Sequence, residues 1–184
     1  MRNLLTIKPI KYSILIILLV LIVTGGFYLR NKLLLNSLDS TNLSNLTISG
    51  INLNQNIKDV DLSVYKKRND FDDKVTGTTT QKYFEDFSVI HDNSGKILTL
   101  KTMNRTEKGI EKLGNGVIVN LSDVTNLLGS HYIEKGYDSA QGLYSRIYYD
   151  KENKVKATFV FPKMYLKDDK NPEAIIIWVI LERY

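Results

Sequence analysis

The sequence predicts an α+β protein carried on a single N-terminal transmembrane helix. Three observations lead there: an uninterrupted apolar run near the start, two Asn-capped helical patterns each followed by a strand–turn–strand pattern, and an almost wholly apolar last strand. Together they give an anchor followed by two helix-plus-antiparallel-hairpin modules that form one extracellular domain.

The apolar run covers residues 12–29, eighteen residues from Tyr12 to Leu29 with no charge inside. A helix of roughly 20 apolar residues crosses a hydrocarbon core of about 30 Å, and Arg30 and Lys32 can snorkel to the headgroups. Only a helix satisfies the backbone of such a run in lipid. Arg2, Lys8 and Lys11 precede it and Arg30 and Lys32 follow, a bias that places the N-terminal tail inside and the rest of the chain outside. Tyr12, Phe27 and Tyr28 stand at the two ends, where aromatic rings favour the interface. The alternative is a cleaved signal peptide, but Thr24-Gly25-Gly26 followed by Phe27 is a poor cleavage site and the run exceeds the 7–15 residues of a signal core. With no cysteine, the chain has neither a lipoprotein anchor nor disulfides. Its richness in Lys, Asn, Ile and Tyr suits the cell surface of a Gram-positive bacterium.

The net charge of +5 comes mostly from the anchor region. Residues 1–30 hold four basic and no acidic residues, leaving 21 basic against 20 acidic over the rest. An outer part so nearly neutral has no basic face for nucleic acid. The division that follows is a cytoplasmic tail (1–11), a transmembrane anchor (12–30), a polar stalk (31–45), a first module (46–104) and a second module (105–184).

Within the outer part an internal repeat is legible. Asn56-Ile57-Lys58-Asp59-Val60 matches Asn120-Leu121-Ser122-Asp123-Val124, and Asp92-Asn93-Ser94-Gly95-Lys96-Ile97 matches Asp150-Lys151-Glu152-Asn153-Lys154-Val155. The first match reads as a helix start, with Asn as cap and an acidic residue facing the helix dipole. Ile57, Val60, Leu62 and Val64 give a rough helical stripe in one copy. Leu121, Val124, Leu127 and Leu128 give a cleaner one in the other, closed by Gly129. The second match reads as a turn between strands, over 83–91 and 96–103, then over 143–150 and 154–161. The last strand, 174–181, follows a polar loop at 167–172 and is apolar enough to be central in a sheet.

This layout resembles the tandem modules of the β-lactamase inhibitor protein-like fold, a module also seen in outer-membrane assembly lipoproteins. The residues that carry the resemblance are Ser49-Gly50-Ile51-Asn52-Leu53, Ile57-Lys58-Asp59-Val60 and Gly95-Lys96, with Leu127-Leu128-Gly129 in the second copy. The resemblance implies helices packed on a sheet whose exposed face grips a partner protein. The first copy departs from it at Tyr65-Lys66-Lys67 and in the polar Thr76-Gly77-Thr78-Thr79-Thr80, and the inhibitor's disulfides are absent.

No catalytic motif is present: no glycine-rich phosphate loop and no Gly-x-Ser-x-Gly elbow. His91 and His131 fall on different elements, and Asp70-Phe71-Asp72-Asp73 lacks the ligand spacing of a calcium loop, so no metal or cofactor is expected. Alternation along 143–150 puts Tyr144, Arg146 and Tyr148 on one face and Leu143 and Ile147 on the other. With Leu143, Ile147, Phe159 and Phe161 read as core, Tyr144, Arg146, Tyr148 and Trp178 become the candidate binding face, rich in hot-spot residue types. The alternative is that these aromatics form a core between the modules. The function expected is an extracellular protein-binding module without catalysis; a cell-wall polymer-binding enzyme or enzyme accessory, with tyrosines stacking on sugar rings, is the second reading.

Overall fold

A computed structural model describes residues 7–103, 110–113, 116–162 and 174–184. The first helix, α1, runs Ile7–Ser37. Its segment Ser13–Ser37 has a mean hydropathy of 2.2 over its best window, none of it buried, and is long and apolar enough to cross a membrane. Leucine, isoleucine and valine side chains are exposed on every side of it, as lipid contact requires. No proline interrupts the segment after the apolar run, so the helix passes Arg30 and Lys32 and ends at Ser37, whose hydroxyl donates to the Leu34 carbonyl at 3.0 Å.

The second compact unit is Ser40–Tyr184. It starts earlier than the expected residue 46, so the stalk expected over 31–45 is divided between the helix and the folded unit. Leu43 explains the difference: it is buried, and its N–H donates to Asp150 Oδ2 at 3.0 Å. The strands that follow are β1 (Thr47–Ile48), β2 (Ile51–Asn52), β3 (Lys74–Thr76), β4 (Thr79–Tyr83), β5 (Phe87–Asp92), β6 (Ile97–Thr102), β7 (Ile110–Leu113) and β8 (Gly116–Ile118). Then come α2 (Leu121–Leu128), β9 (Ile133–Asp138), β10 (Leu143–Asp150), β11 (Val155–Pro162) and β12 (Trp178–Arg183).

Eight strands form one antiparallel sheet in the order β3-β4-β5-β6-β12-β11-β10-β9. The two halves of the unit thus meet edge to edge, at β6 and β12, rather than as separate modules. The pairing there is Ile180 with Lys101, Leu181 with Leu100 and Glu182 with Thr99. One face of the sheet is covered by α2, the β1–β2 hairpin and the segment around Leu53 and Ile57. Its core joins Phe87, Val89, Leu100, Leu181, Val179, Phe159 and Phe161 to Ile48, Ile51, Leu121 and Val124, all buried.

The turns behave as their sequences require. Asp92 Oδ1 accepts from the N–H of Ser94 at 2.9 Å and of Lys96 at 3.0 Å. Gly95 has φ +93°, and an added Cβ would lie 2.2 Å from Asn56 Oδ1, so both conformation and space demand glycine. The expected helix starting at Asn56 is corrected. Two single-turn 3-10 segments, Ile57–Asp59 and Leu62–Val64, stand in its place, capped by Asn56 and Asp61. The second cap interrupts the helix before it can propagate, because the Asp61 side chain takes the Ser63 N–H at 3.0 Å. The second helix forms as read: Asn120 and Asp123 make a reciprocal capping box, and Gly129 closes it at φ +81°.

The equivalent segments of the two halves make different contacts. Asn56 meets the β5–β6 turn, with the Ile57 N–H on the Gly95 carbonyl at 2.8 Å. Asn120 pairs instead with Ile175, and the Leu121 N–H meets the Ala174 carbonyl at 3.0 Å. The expected boundary at 104/105 and the loop at 167–172 lie outside the described residues.

Phe159 is fully buried and meets Tyr148 edge-on at 5.8 Å. Phe159→Ala should therefore cost about 3–5 kcal/mol in a denaturant titration of the purified chain. A loss below about 1 kcal/mol would place the ring outside the core.

Candidate interaction surface

Register decides which side chains share a face. Lys151, Glu152, Asn153 and Lys154 form the β10–β11 turn, so Tyr144 lies opposite Phe161, Arg146 opposite Phe159 and Tyr148 opposite Ala157. Directly opposed residues of an antiparallel pair point the same way. Tyr144, Arg146 and Tyr148 therefore sit on the helix-covered core face. The expectation that they face away from Phe159 and Phe161 is corrected. A turn of four residues, not three or five, is the cause, because a one-residue change in register moves every side chain to the other face.

On that face these residues have structural work. Tyr148 is fully buried, its hydroxyl donates to the Gly129 carbonyl at 2.9 Å, and its ring lies 5.5 Å from that of Tyr132. Arg146 is 9% exposed. Its Nε and Nη2 donate to Glu134 Oε2 at 3.3 and 3.1 Å, and its Nη1 donates to Thr125 Oγ1 at 3.0 Å. The guanidinium lies 4.1 Å from the Tyr132 ring centre. One side chain thus joins β9, β10 and α2. Tyr144 is partly buried and packs against the main core.

Trp178 lies on the opposite face. It pairs with Val160, which pairs with Ser145, and a small apolar cluster of Leu143, Val160 and Ile180 is flanked by Ile177 and Trp178. Leu143 and Ile180 thus belong here and not with Phe159. Two residues that the sequence reading did not single out complete the surface. Lys101 Nζ lies 4.5 Å over the Trp178 ring, and the Tyr137 ring centre is 6.3 Å from it at a 55° tilt. Lys101 reaches Trp178 only through the pairing of β6 with β12, and Tyr137 only through the bulge between Leu143 and Tyr144. No local pattern in the sequence signals either contact.

Burial pushes the Lys101 amine down from its usual range. It pushes the Tyr137 hydroxyl up, helped by the charges of Glu182 and Asp138. Among the described residues Lys101 makes no ion pair; Glu182 is taken by Lys156 at 2.9 Å. Chemically the accessible part of the surface offers two aromatic rings and one amine, above an apolar cluster of Leu143, Val160 and Ile180 that is itself buried. That combination suits an apolar or aromatic side chain with an acidic neighbour, or a flat sugar ring.

The remaining candidates are placed as follows. Among the described residues no group of three or more His, Cys, Asp or Glu could hold a metal ion. His91 Nδ1 lies 2.9 Å from the Asp92 carbonyl, and its buried Nε2 has no hydrogen-bond partner among the described residues. In the 70–73 cluster Asp70 pairs with Arg68 and Asp73 with Lys67.

Comparison with known protein families, with curated proteins and with solved structures finds no match.

Burial, the largest influence, pushes the Tyr148 hydroxyl up to about 12 from its ordinary value of 10.0. Between those values the unfolded chain loses the proton while the folded chain keeps it. The contribution is thus intact below pH about 10 and lost as pH rises towards about 12, at up to roughly 1.4 kcal/mol per pH unit. Tyr148→Phe should remove that part of the alkaline destabilisation, read as the change in melting temperature between pH 9 and 11 relative to the parent chain. An identical alkaline slope in the variant would mean that this hydroxyl titrates normally.

Proposed function

We propose that this chain is a single-pass plasma-membrane protein whose outer α+β domain binds a protein partner and carries out no catalysis. The observation that carries the reading is the Ser13–Ser37 helical segment, which is long and apolar enough to cross a membrane, with none of its most apolar window buried. The inside-positive flanks, Arg2, Lys8 and Lys11 against Arg30 and Lys32, favour an outer location for the domain. The binding surface proposed is the sheet face around Trp178, Tyr137 and Lys101. Trp and Tyr are enriched among residues that dominate interface energies, and a partly desolvated lysine is a ready partner for a carboxylate. The two halves, each a capped helical turn followed by a hairpin, fit an origin as two copies of one module, in keeping with the β-lactamase inhibitor protein-like resemblance.

A second reading has one observation in its favour. The tilted Tyr137–Trp178 pair is a shape on which a sugar ring of a wall polymer could stack.

Protease added to intact cells should remove the domain and leave the helix; protection of the domain would mean the reverse orientation. In cross-linking from intact cells, Trp178→Ala should lower recovery of a stoichiometric protein partner at least about tenfold, equivalent to about 1.4 kcal/mol. Undiminished recovery would remove this face as the binding surface, and retention on purified wall without any protein partner would favour the second reading.

A further inference from the structure

The register that brings Lys101 over Trp178 carries one row of side chains across both halves of the sheet. Tyr83 on β4 stands opposite Ser88 on β5, Ser88 opposite Lys101 on β6, and Lys101 opposite Ile180 on β12. Opposed residues point the same way, so Tyr83 shares the face of Lys101 and Trp178. Two strand spacings, about 9.5 Å, separate the backbone of Tyr83 from that of Lys101. The Phe71 ring stacks on Tyr83 at 5.1 Å and 26°, and the Arg68 guanidinium lies 4.7 Å from the Phe71 ring centre. Phe71 is 45% exposed, whereas Ser88, between the two groups, is buried. The face therefore carries two aromatic–cation groups, one in each half of the domain.

The charges on this face are unbalanced. Register places Lys74, Lys101, Lys135 and Lys156 on it, against the carboxylates of Glu182 and Asp138. Both carboxylates are engaged: Glu182 with Lys156 at 2.9 Å, and Asp138 Oδ1 with the N–H groups of Ala140 and Gln141 at 2.9 and 3.1 Å. Among the described residues Lys74, Lys101 and Lys135 make no ion pair. Burial lowers the Lys101 amine, and no carboxylate acts against it. Two copies of the chain meeting by this face would set lysine against lysine, so charge complementarity points to an acidic partner. Arg68 is bound to Asp70 through Nε and Nη2, and so is not free to fork onto phosphate.

We infer that this face takes an acidic, extended segment of the partner protein, with a carboxylate on Lys101 beside Trp178 and an aromatic side chain three residues away on Phe71 and Tyr83. In a polyproline II stretch residues three apart project the same way and lie about 9.3 Å from each other, close to the two strand spacings between Lys101 and Tyr83. The rings supply contact area of the kind that dominates interface energies. The amine, already partly stripped of water, loses little further hydration on meeting a carboxylate. This rests on the reading of the sheet face as the partner surface. It adds the partner's chemistry and a second point of contact, in the other half of the domain.

Trp178 is the one tryptophan of the chain, so its emission reads this face directly in the full chain held in detergent. The probe is a random copolymer of Glu and Tyr, with polyglutamate and a copolymer of Lys and Tyr as controls. The Glu–Tyr copolymer should shift the Trp178 emission with a midpoint at least about tenfold lower than that of polyglutamate, and the Lys–Tyr copolymer should leave it unchanged. Lys101→Met, which keeps an aliphatic stem and removes the charge, and Tyr83→Ala should each raise that midpoint at least about fivefold. Lys101→Arg, which keeps the charge, should stay within about twofold of the parent chain, so a loss in Lys101→Met is not read from a misfolded domain. No response to the Glu–Tyr copolymer, an equal response to the Lys–Tyr copolymer, or an unchanged midpoint in Lys101→Met would overturn the inference. So would a response confined to polyglycerol phosphate, which would make the ligand a phosphate polymer. Cross-linking from intact cells separates this outcome from the reading beneath it. Partner recovery that falls in Trp178→Ala but holds in Lys101→Met keeps the surface and removes its acidic ligand, whereas recovery that holds in both removes the surface.

Discussion

The pairing of β6 with β12 is the constraint on which the domain depends. It joins strands that are far apart in sequence, and each is buried on its inner side: Leu100 and Leu181 stand opposite each other and are almost wholly inaccessible. Side chains close the seam at both ends. The Val179 N–H donates to Thr102 Oγ1 at 2.9 Å at one end. Arg183 donates from Nη2 to the Leu53 carbonyl at 2.7 Å and from Nε to the Ile97 carbonyl at 3.1 Å at the other. Two four-stranded halves, each with an open edge, thereby become one sheet with a continuous apolar face. The same seam brings Lys101 over Trp178 on the reverse side, so core and candidate surface arise from one register.

Polar groups within the core hold the covering layer in place. Arg146, Thr125, Glu134 and Tyr148 link the short α2 helix to β9 and β10 through charge-assisted and neutral hydrogen bonds. An eight-residue helix has little stability of its own, and tertiary contacts must supply the rest. Leu121 and Val124 provide the apolar part. A buried arginine needs its donors satisfied, and here a carboxylate, a hydroxyl and an aromatic face serve it. The open edges of the sheet are β3 and β9. β3 is short, and both carry charged residues, Lys74 on one and Glu134 and Lys135 on the other, which disfavours pairing with further strands.

Much of this was legible in the sequence where local chemistry decides the outcome. The apolar run gave the long apolar helix α1, the Asp92 and Asp150 turns gave both hairpins, and Asn120 with Gly129 gave the ends of α2. Asn56 misled because Asp61 follows it closely and starts a second cap, so two 3-10 turns replace a helix. Leu43 looked like part of a stalk because its partner, Asp150, is remote in the chain. The face of Tyr144, Arg146 and Tyr148 depended on the length of one turn, and alternation alone does not supply that. Lys101 and Tyr137 were invisible for a similar reason: their proximity to Trp178 follows from long-range strand order and a bulge.

That the two halves form one cooperative sheet through the β6–β12 seam is tested most directly by native-state hydrogen exchange on the full chain. The most protected amides of β5 and β6 should share one opening free energy with those of β11 and β12, and all should fall together in Leu181→Ala. Two distinct opening energies, one for each half, with only the β11–β12 set responding to Leu181→Ala, would show two independent modules and contradict the single sheet.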